Sequence, residues 1–230
     1  MRRHLAVVKI GGSLARSPEL PVWLDQLAEA DGRAVVVPGG GPFADQVRDL
    51  QGHWRFDDRA AHHMAVLAMD QFGRMLAAMN RRCVAAASRR AIREAGRKGG
   101  LPVWLPTRMT LGRPDIDESW DVTADSLAAW LAAELGADML YLVKSAALPD
   151  SSADLGDLVR RKVVDPAFPA MLSRGGASVA CAAPAEHENV ARAIRAGGVA
   201  GTAVRFNRSG STARRRPDVA GPAPRLRPIG

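Results

Sequence analysis

Two runs of this chain end in the same way. Residues 5–10, "LAVVKI", pass into Gly11, Gly12 and Ser13; residues 34–38, "AVVVP", pass into Gly39, Gly40 and Gly41. Neither run alternates apolar with polar residues, so neither suits a strand with one face in water. Both read as strands covered on both faces, and further runs of this kind recur at 101–106 ("LPVWLP"), 138–143 ("DMLYLV"), 177–183 ("ASVACAA") and 201–206 ("GTAVRF").

Between them lie stretches with helical spacing. These are 21–30, entered at Pro21, then 41–50, 57–80, 85–96, 124–136, stopped by Gly136, and the segment "EHENVARAIRAGG". In 57–80, Ala61, Met64, Ala65, Ala68, Met69, Phe72, Met75 and Leu76 recur at steps of three and four, and the methionines read as core. Buried strands separated by helices imply an α/β fold with a mostly parallel sheet. In such sheets ligands sit beyond the carboxyl ends of the strands, so both glycine loops belong on one edge.

The chemistry is read from those loops. Glycine lets backbone approach a ligand closely, and successive N–H groups at a strand end or helix start attract anions. Lys9 adds a full charge beside the first loop. Two glycine loops and a lysine can hold a polyphosphate between them, although tight strand–helix turns alone would also use these residues. Neither loop has the Walker A or the dinucleotide-binding spacing. Asp121, Thr123, Asp125 and Ser126 crowd the start of the helix at 124. One would serve as a cap, and the rest suggest a site in which a carboxylate holds a metal or orients the phosphate-binding lysines.

Composition narrows the partners. Of 230 residues, 47% are hydrophobic, which suits a globular chain, and no apolar run reaches membrane-spanning length. The start "MRRHLAVVKIGGSL" reads as a strand and not as a signal peptide. Cys83 and Cys181 lack metal-like spacing and read as free thiols of a cytoplasmic chain. The net charge of +8 does not indicate specific nucleic-acid binding: residues 207–230 hold six arginines and one aspartate, +5 of the total, which leaves +3 for residues 1–206. The division expected is one domain over 1–206 and a solvated Pro/Gly/Arg tail over 207–230.

Taken together, "KIGGSL", "VVVPGGGPFAD", "SWDVTADSLAAWLA", "YLVK" and the late "GTAV" resemble the amino acid kinase superfamily over residues 5–206. The resemblance implies a three-layer α/β/α sandwich with a mostly parallel central sheet, transfer of the ATP γ-phosphoryl group with Mg2+, a small phosphorylated substrate and a homo-oligomer. "RAAHHMAVLAMDQFGRMLA" (59–77), "VWLP" (103–106) and "SWDVTADS" resemble the branch of methanofuran biosynthesis, which phosphorylates an aminomethyl-furanmethyl phosphate to its diphosphate. Uridylate kinase and isopentenyl phosphate kinase share the fold and the acceptor type. A non-catalytic nucleotide-holding protein is the alternative of another class.

The resemblance implies roles. Lys9 bridges the transferring phosphoryl and Asp125 organises the lysines. Gly11, Gly12 and Ser13 hold the nucleotide phosphates, with Lys144 and Ser145 lining the nucleotide. Gly39, Gly40 and Gly41, with Asp121 and Thr123, serve the acceptor. No protein ligand to a metal is assigned. Adjacent helical residues point about 100° apart, so at most one of His62 and His63 faces the acceptor. Asp57, Asp58 and Asp70 are candidate partners for an amine, and Arg55 and Arg59 for the acceptor phosphate. Lys162 is either a second phosphate lysine or a solvated one. The sequence departs from the family at 145–152, "SAALPDSS", where relatives carry a "TDVDG"-like turn that shapes the nucleotide pocket.

Overall fold

A computed structural model of the chain describes residues 4–146 and 152–206. The tail 207–230 and residues 147–151 of the altered turn lie outside the described residues. The order begins β1 (Ala6–Ile10), α1 (Glu19–Ala28), β2 (Ala34–Pro38), α2 (Gly41–Trp54), α3 (Asp58–Met79), β3 (Cys83–Ala86), α4 (Arg89–Arg97) and β4 (Leu101–Trp104). It continues α5 (Thr107–Thr110), α6 (Ala124–Leu135), β5 (Met139–Val143), β6 (Ser152–Asp154), α7 (Leu155–Arg160), α8 (Phe168–Ser173), β7 (Ser178–Ala182), α9 (His187–Ala196) and β8 (Thr202–Arg205).

The strands form one sheet in the order β3-β4-β2-β1-β5-β7-β8-β6. Strands β1 to β5 and β7 run parallel; β8 is antiparallel to β7, and β6 runs parallel to β8. The chain leaves β1 toward β2 on one side and returns to β5 on the other, so β1 sits where the winding reverses, the usual ligand position in open sheets.

The two faces carry separate apolar layers. Ala6, Val8 and Ile10 of β1 pack with Trp23 and Leu24 of α1 and Val190 and Ile194 of α9. Val7 faces the other way, toward Leu127 and Leu131 of α6 and Met171 of α8. Helix α3 contributes Val66 and Met69 to the second layer and Phe72 and Leu76 to the first. This is the α/β/α sandwich expected from the sequence.

Two strands were not legible. Residues 83–86 form edge strand β3, and the helix expected from 85 starts at Arg89 after Ser88, whose side chain accepts from Ala91 N at 3.2 Å. Strand β6 has three residues and finds its partner β8 about fifty positions later.

Candidate active site

The period of a strand places the charges. Lys9 lies two residues after Val7 and shares its face, the α6 side. Lys144 follows Leu140 and Leu142 of β5 by steps of two, and these pack in the same layer as α6. The register pairs Lys9 with Leu142. Both lysines therefore emerge under the first turn of α6, where Asp125 stands. Lys9 Nζ lies 3.0 Å from Asp125 Oδ1. Lys144 Nζ donates to Asp125 Oδ2 at 2.6 Å and to the Val163 carbonyl at 2.5 Å.

This cluster is nearly dry, with Lys9 7% and Asp125 5% exposed. Burial alone would raise the Asp125 carboxyl; the ammonium groups of Lys9 and then Lys144 more than offset it, so it titrates below its ordinary value. Burial lowers Lys144, and repulsion from Lys9 adds to this, against the pull of Asp125. The arrangement is a carboxylate holding two cations at the end of β1 and β5.

The glycine loops press on each other. A Cβ on Gly12 would stand 2.5 Å from Gly41 Cα and N, and Gly41 adopts φ +56°. Gly39 N donates to the Ile10 carbonyl at 2.9 Å. The two loops expected to cradle phosphate thus form one surface. Ser13 Oγ and Ser145 Oγ, 3.1 Å apart, join the β1 loop to the β5 loop, and Gly11 lies against the Val143 carbonyl and Lys9 Nζ.

A cavity of about 360 Å³ opens beside this surface. It is lined by Lys9, Gly12, Ser13, Gly39, Gly40 and Gly41, by the apolar Val66, Met69, Val122 and Leu127, and by His62, Thr123 and Trp120. The volume suits a small ligand. Gly11, Asp125, Lys144 and Ser145 lie outside the cavity lining.

Asp45 and Arg48 also line the cavity, and sequence reasoning missed both. They follow Gly41 by four and seven positions on α2, so helical spacing from the glycine loop carried the signal. Arg48 donates to Asp45 Oδ1 at 2.7 Å and its guanidinium lies 4.8 Å from the Trp120 ring centroid. Arg55 and Arg59 stand elsewhere: Arg55 is the left-handed C-cap of α2, and Arg59 Nε donates to Glu118 at 2.7 Å.

The adjacent histidines separate as helix geometry requires. His62 is 2% exposed and lines the cavity, with Nδ1 3.1 Å from the Ser119 carbonyl and a buried Nε2 that has no partner. Burial lowers its pKa, against the opposing effect of the Ser119 carbonyl. His63 turns away and bonds Glu118 Oε1 through Nε2 at 2.7 Å, which holds the Glu118 carboxyl down at about 2.

Three aspartates stand outside the cavity. Asp57 caps α3 by accepting from Ala60 N at 2.7 Å; Asp58 accepts from Gln51 Nε2 at 2.8 Å; Asp70 accepts from Thr107 N at 3.2 Å. Asp121 is also outside it: the residue is exposed, and its carbonyl accepts from Ala167 N at 3.1 Å. Lys162 is exposed at φ +55°, the solvated alternative.

The cap of α6 comes from Asp165, which the sequence did not reveal. Asp165 Oδ2 accepts from Thr123 N, Thr123 Oγ1 and Ser126 N at 3.0, 2.7 and 3.1 Å. Ser126 Oγ donates to Oδ1. Val163, the carbonyl partner of Lys144, lies two residues before Asp165, so one segment steadies both ends of the charged cluster. Among the described residues, no group of three His, Cys, Asp or Glu side chains is placed to hold a metal ion, and no helix is long and apolar enough to cross a membrane.

Comparison with known proteins bears on the family and the fold. Among curated proteins, the chain is 28% identical over 127 residues to "[5-(aminomethyl)furan-3-yl]methyl phosphate kinase" of Methanocaldococcus jannaschii, across 54% of this chain and 58% of that protein. The match thus spans less than two thirds of that relative's length. Among solved structures, uridylate kinase from Archaeoglobus fulgidus superposes with a TM-score of 0.65 at 17% identity, covering 87% of this chain and all (100%) of that one. UMP kinase from Ureaplasma parvum gives 0.64 at 16%, covering 90% and 100%. At such identities these structures speak for the fold. The amino acid kinase family model matches residues 4–147, more than half of the chain, so the chain belongs to the amino acid kinase family.

Proposed function

We propose that this protein is an ATP-dependent kinase that phosphorylates a small phosphomonoester to a diphosphate, with the aminomethyl-furanmethyl phosphate as acceptor. The observation that carries the reading is Lys9: it is shared between the cavity and the buried Asp125–Lys144 pair. In this reading the acceptor occupies the cavity, and the nucleotide lies toward Ser13, Lys144 and Ser145.

A phosphate oxygen of the acceptor attacks the γ-phosphorus. The new O–P bond forms as the bond to the β-phosphate oxygen breaks, and ADP leaves with that electron pair. Little covalent chemistry is asked of the protein, so positioning and charge neutralisation dominate. Lys9 and Lys144 neutralise the charge that builds up between donor and acceptor. Asp125 is not a general base here: it is held ionised between two ammonium groups, and an acceptor phosphate dianion has no proton to lose. Its role is to aim the lysines. Magnesium would enter on the triphosphate; no cluster of the chain's own residues is assigned to it.

Support for the acceptor comes from three observations: the similarity to the M. jannaschii enzyme, the cavity's size, and its mixture of cationic and apolar lining residues. An assay with γ-labelled ATP and four conditions tests the reading: the furan phosphate, uridylate, isopentenyl phosphate and no acceptor. Label transfer to the furan phosphate is expected. Efficient transfer to uridylate with the furan inert overturns the acceptor, and nucleotide binding without transfer to any acceptor overturns the kinase reading.

A further inference from the structure

We propose that His62 Nε2 is the atom that recognises the amine of the acceptor, so that this kinase selects phosphomonoesters bearing a primary amine at the end remote from the phosphate. The inference rests on the proposed furan phosphate reaction and deepens it.

The chemistry follows from where the protons are committed. The Ser119 carbonyl can only accept, so the contact at 3.1 Å fixes the His62 proton on Nδ1. Nε2 is left as a lone-pair acceptor. It is buried and has no partner, and His62 is one of the residues that line the cavity. An unpaired acceptor inside a protein is costly, and a ligand donor removes that cost. Thr123, on the same cavity, behaves alike. Its hydroxyl gives its proton to Asp165 Oδ2 at 2.7 Å and keeps only lone pairs for a ligand.

The cavity lining therefore carries two chemical kinds of polar group. Lys9, Arg48 and the glycine-loop backbone offer donors, which suit phosphate oxygens. His62 Nε2 and Thr123 Oγ1 offer acceptors, which repel phosphate and suit N–H groups. The apolar residues Val66, Met69, Val122 and Leu127 complete the lining. A primary ammonium has three donors and satisfies these acceptors best. A wholly apolar acceptor leaves Nε2 unpaired. The carboxylates that the sequence suggested for the amine, Asp58 and Asp70, are engaged by Gln51 and Thr107 outside the cavity.

The test compares the furan phosphate with its analogue in which the aminomethyl group is replaced by methyl. With the wild-type protein, loss of the amine should raise KM roughly 10- to 100-fold, the scale of a hydrogen bond to a charged group, with kcat little changed. In His62→Phe the two acceptors should give similar KM values; in His62→Gln, whose carbonyl can accept, part of the preference should return. Melting curves show whether each variant folds. Independently of any variant, nitrogen-15-labelled histidine reports the wild-type ring: the aminated compound should shift the His62 Nε2 resonance and the methyl analogue should not. Equal KM values in the wild type, or an undisturbed Nε2 resonance, overturn the role of His62 while leaving the kinase reading intact. Turnover of uridylate with both furans inert overturns the acceptor reading and the amine subsite with it.

Discussion

Asp165 receives the Thr123 hydroxyl at 2.7 Å and, with the same oxygen, the backbone N–H groups of Thr123 and Ser126. A carboxylate from beyond α7 thus caps the helix that carries Asp125. Thr123 occupies the N-cap position and its own side chain makes no capping bond. Negative charge at a helix N-terminus is favourable, and here it also occupies two of the N–H groups, those of Thr123 and Ser126, that an external anion could use. In the proposed reading, phosphate is therefore held by the lysines and glycine loops rather than by the N-terminus of α6.

Asp165→Ala should cost on the order of 2 kcal/mol or more of stability, because a cap is lost and several buried donors are left unpaired. Turnover should fall further than the stability loss explains, since Asp125 is no longer held in place. Asp165→Asn should recover part of the capping, as Asn is a good cap residue. Denaturant unfolding and kcat on the same preparations check this. Wild-type kcat in a destabilised Asp165→Ala would end the positioning role.

Lys9→Ala should reduce kcat by roughly 10²–10³-fold, the usual cost of losing one transition-state charge partner. The fold should survive, although Asp125 then keeps only Lys144 and its carboxyl should titrate higher. A native melting curve with undiminished turnover would remove Lys9 from the chemistry.

The sequence showed the sheet because β2 and β5 are apolar throughout and β1 and β7 nearly so, and burial on both faces leaves that mark. It could not show β3, where Val84 is exposed at the sheet edge and the arginines of α4 follow closely. Lys9 and Asp125 stood out because each lies at a strand end or helix start, positions fixed by local pattern, whereas Lys144 was named only through the family resemblance. Asp165 was not: its partners lie 39 and 42 residues away, and an aspartate before proline in "VVDPAF" reads as a turn. The mutual contact of Gly12 and Gly41 was hidden for the same reason. Each loop explains itself as a turn, and only the sheet order brings the two together.

Gly12→Ala tests that contact. The added methyl would meet the backbone of Gly41 at 2.5 Å, and neither partner is a flexible side-chain end that can yield. The loops must part, at a cost of roughly 1–3 kcal/mol typical of overpacking, and the cavity wall moves with them. Both melting temperature and kcat/KM should fall. An unchanged value of both would show that the loops are free to separate.

Arg48→Ala should raise the acceptor KM by roughly tenfold, the effect of losing one charge-assisted phosphate contact. Stability should hardly change, because the Arg48–Asp45 pair is half exposed and such pairs contribute little. Arg48→Lys should not restore KM fully, since lysine lacks the planar group that lies against Trp120. A KM insensitive to both substitutions would place the acceptor phosphate wholly on Lys9 and the glycine loops.

The pH dependence follows from His62, whose folded pKa lies below the ordinary histidine value of 6.5 because the ring is buried. Between the folded and unfolded values the unfolded chain binds more protons, so stability rises with pH there. Put the other way, stability is complete above about 6.5 and declines as pH falls toward the folded pKa. Protonation also converts Nε2 from an acceptor to a donor, so it should expel an ammonium group. The KM of the aminated acceptor relative to its methyl analogue, whose phosphate titrates alike, should therefore climb as pH falls through the folded pKa of His62, while the nucleotide KM stays level. His62→Gln should flatten both the acid limb of the melting curve and the profile of this KM ratio. Melting temperatures and KM values for both acceptors measured from neutral to mildly acidic pH, in wild type and variant, give the comparison. An acid limb of the KM ratio that persists in His62→Gln would assign the titration to another group, and the amine subsite would lose its acceptor.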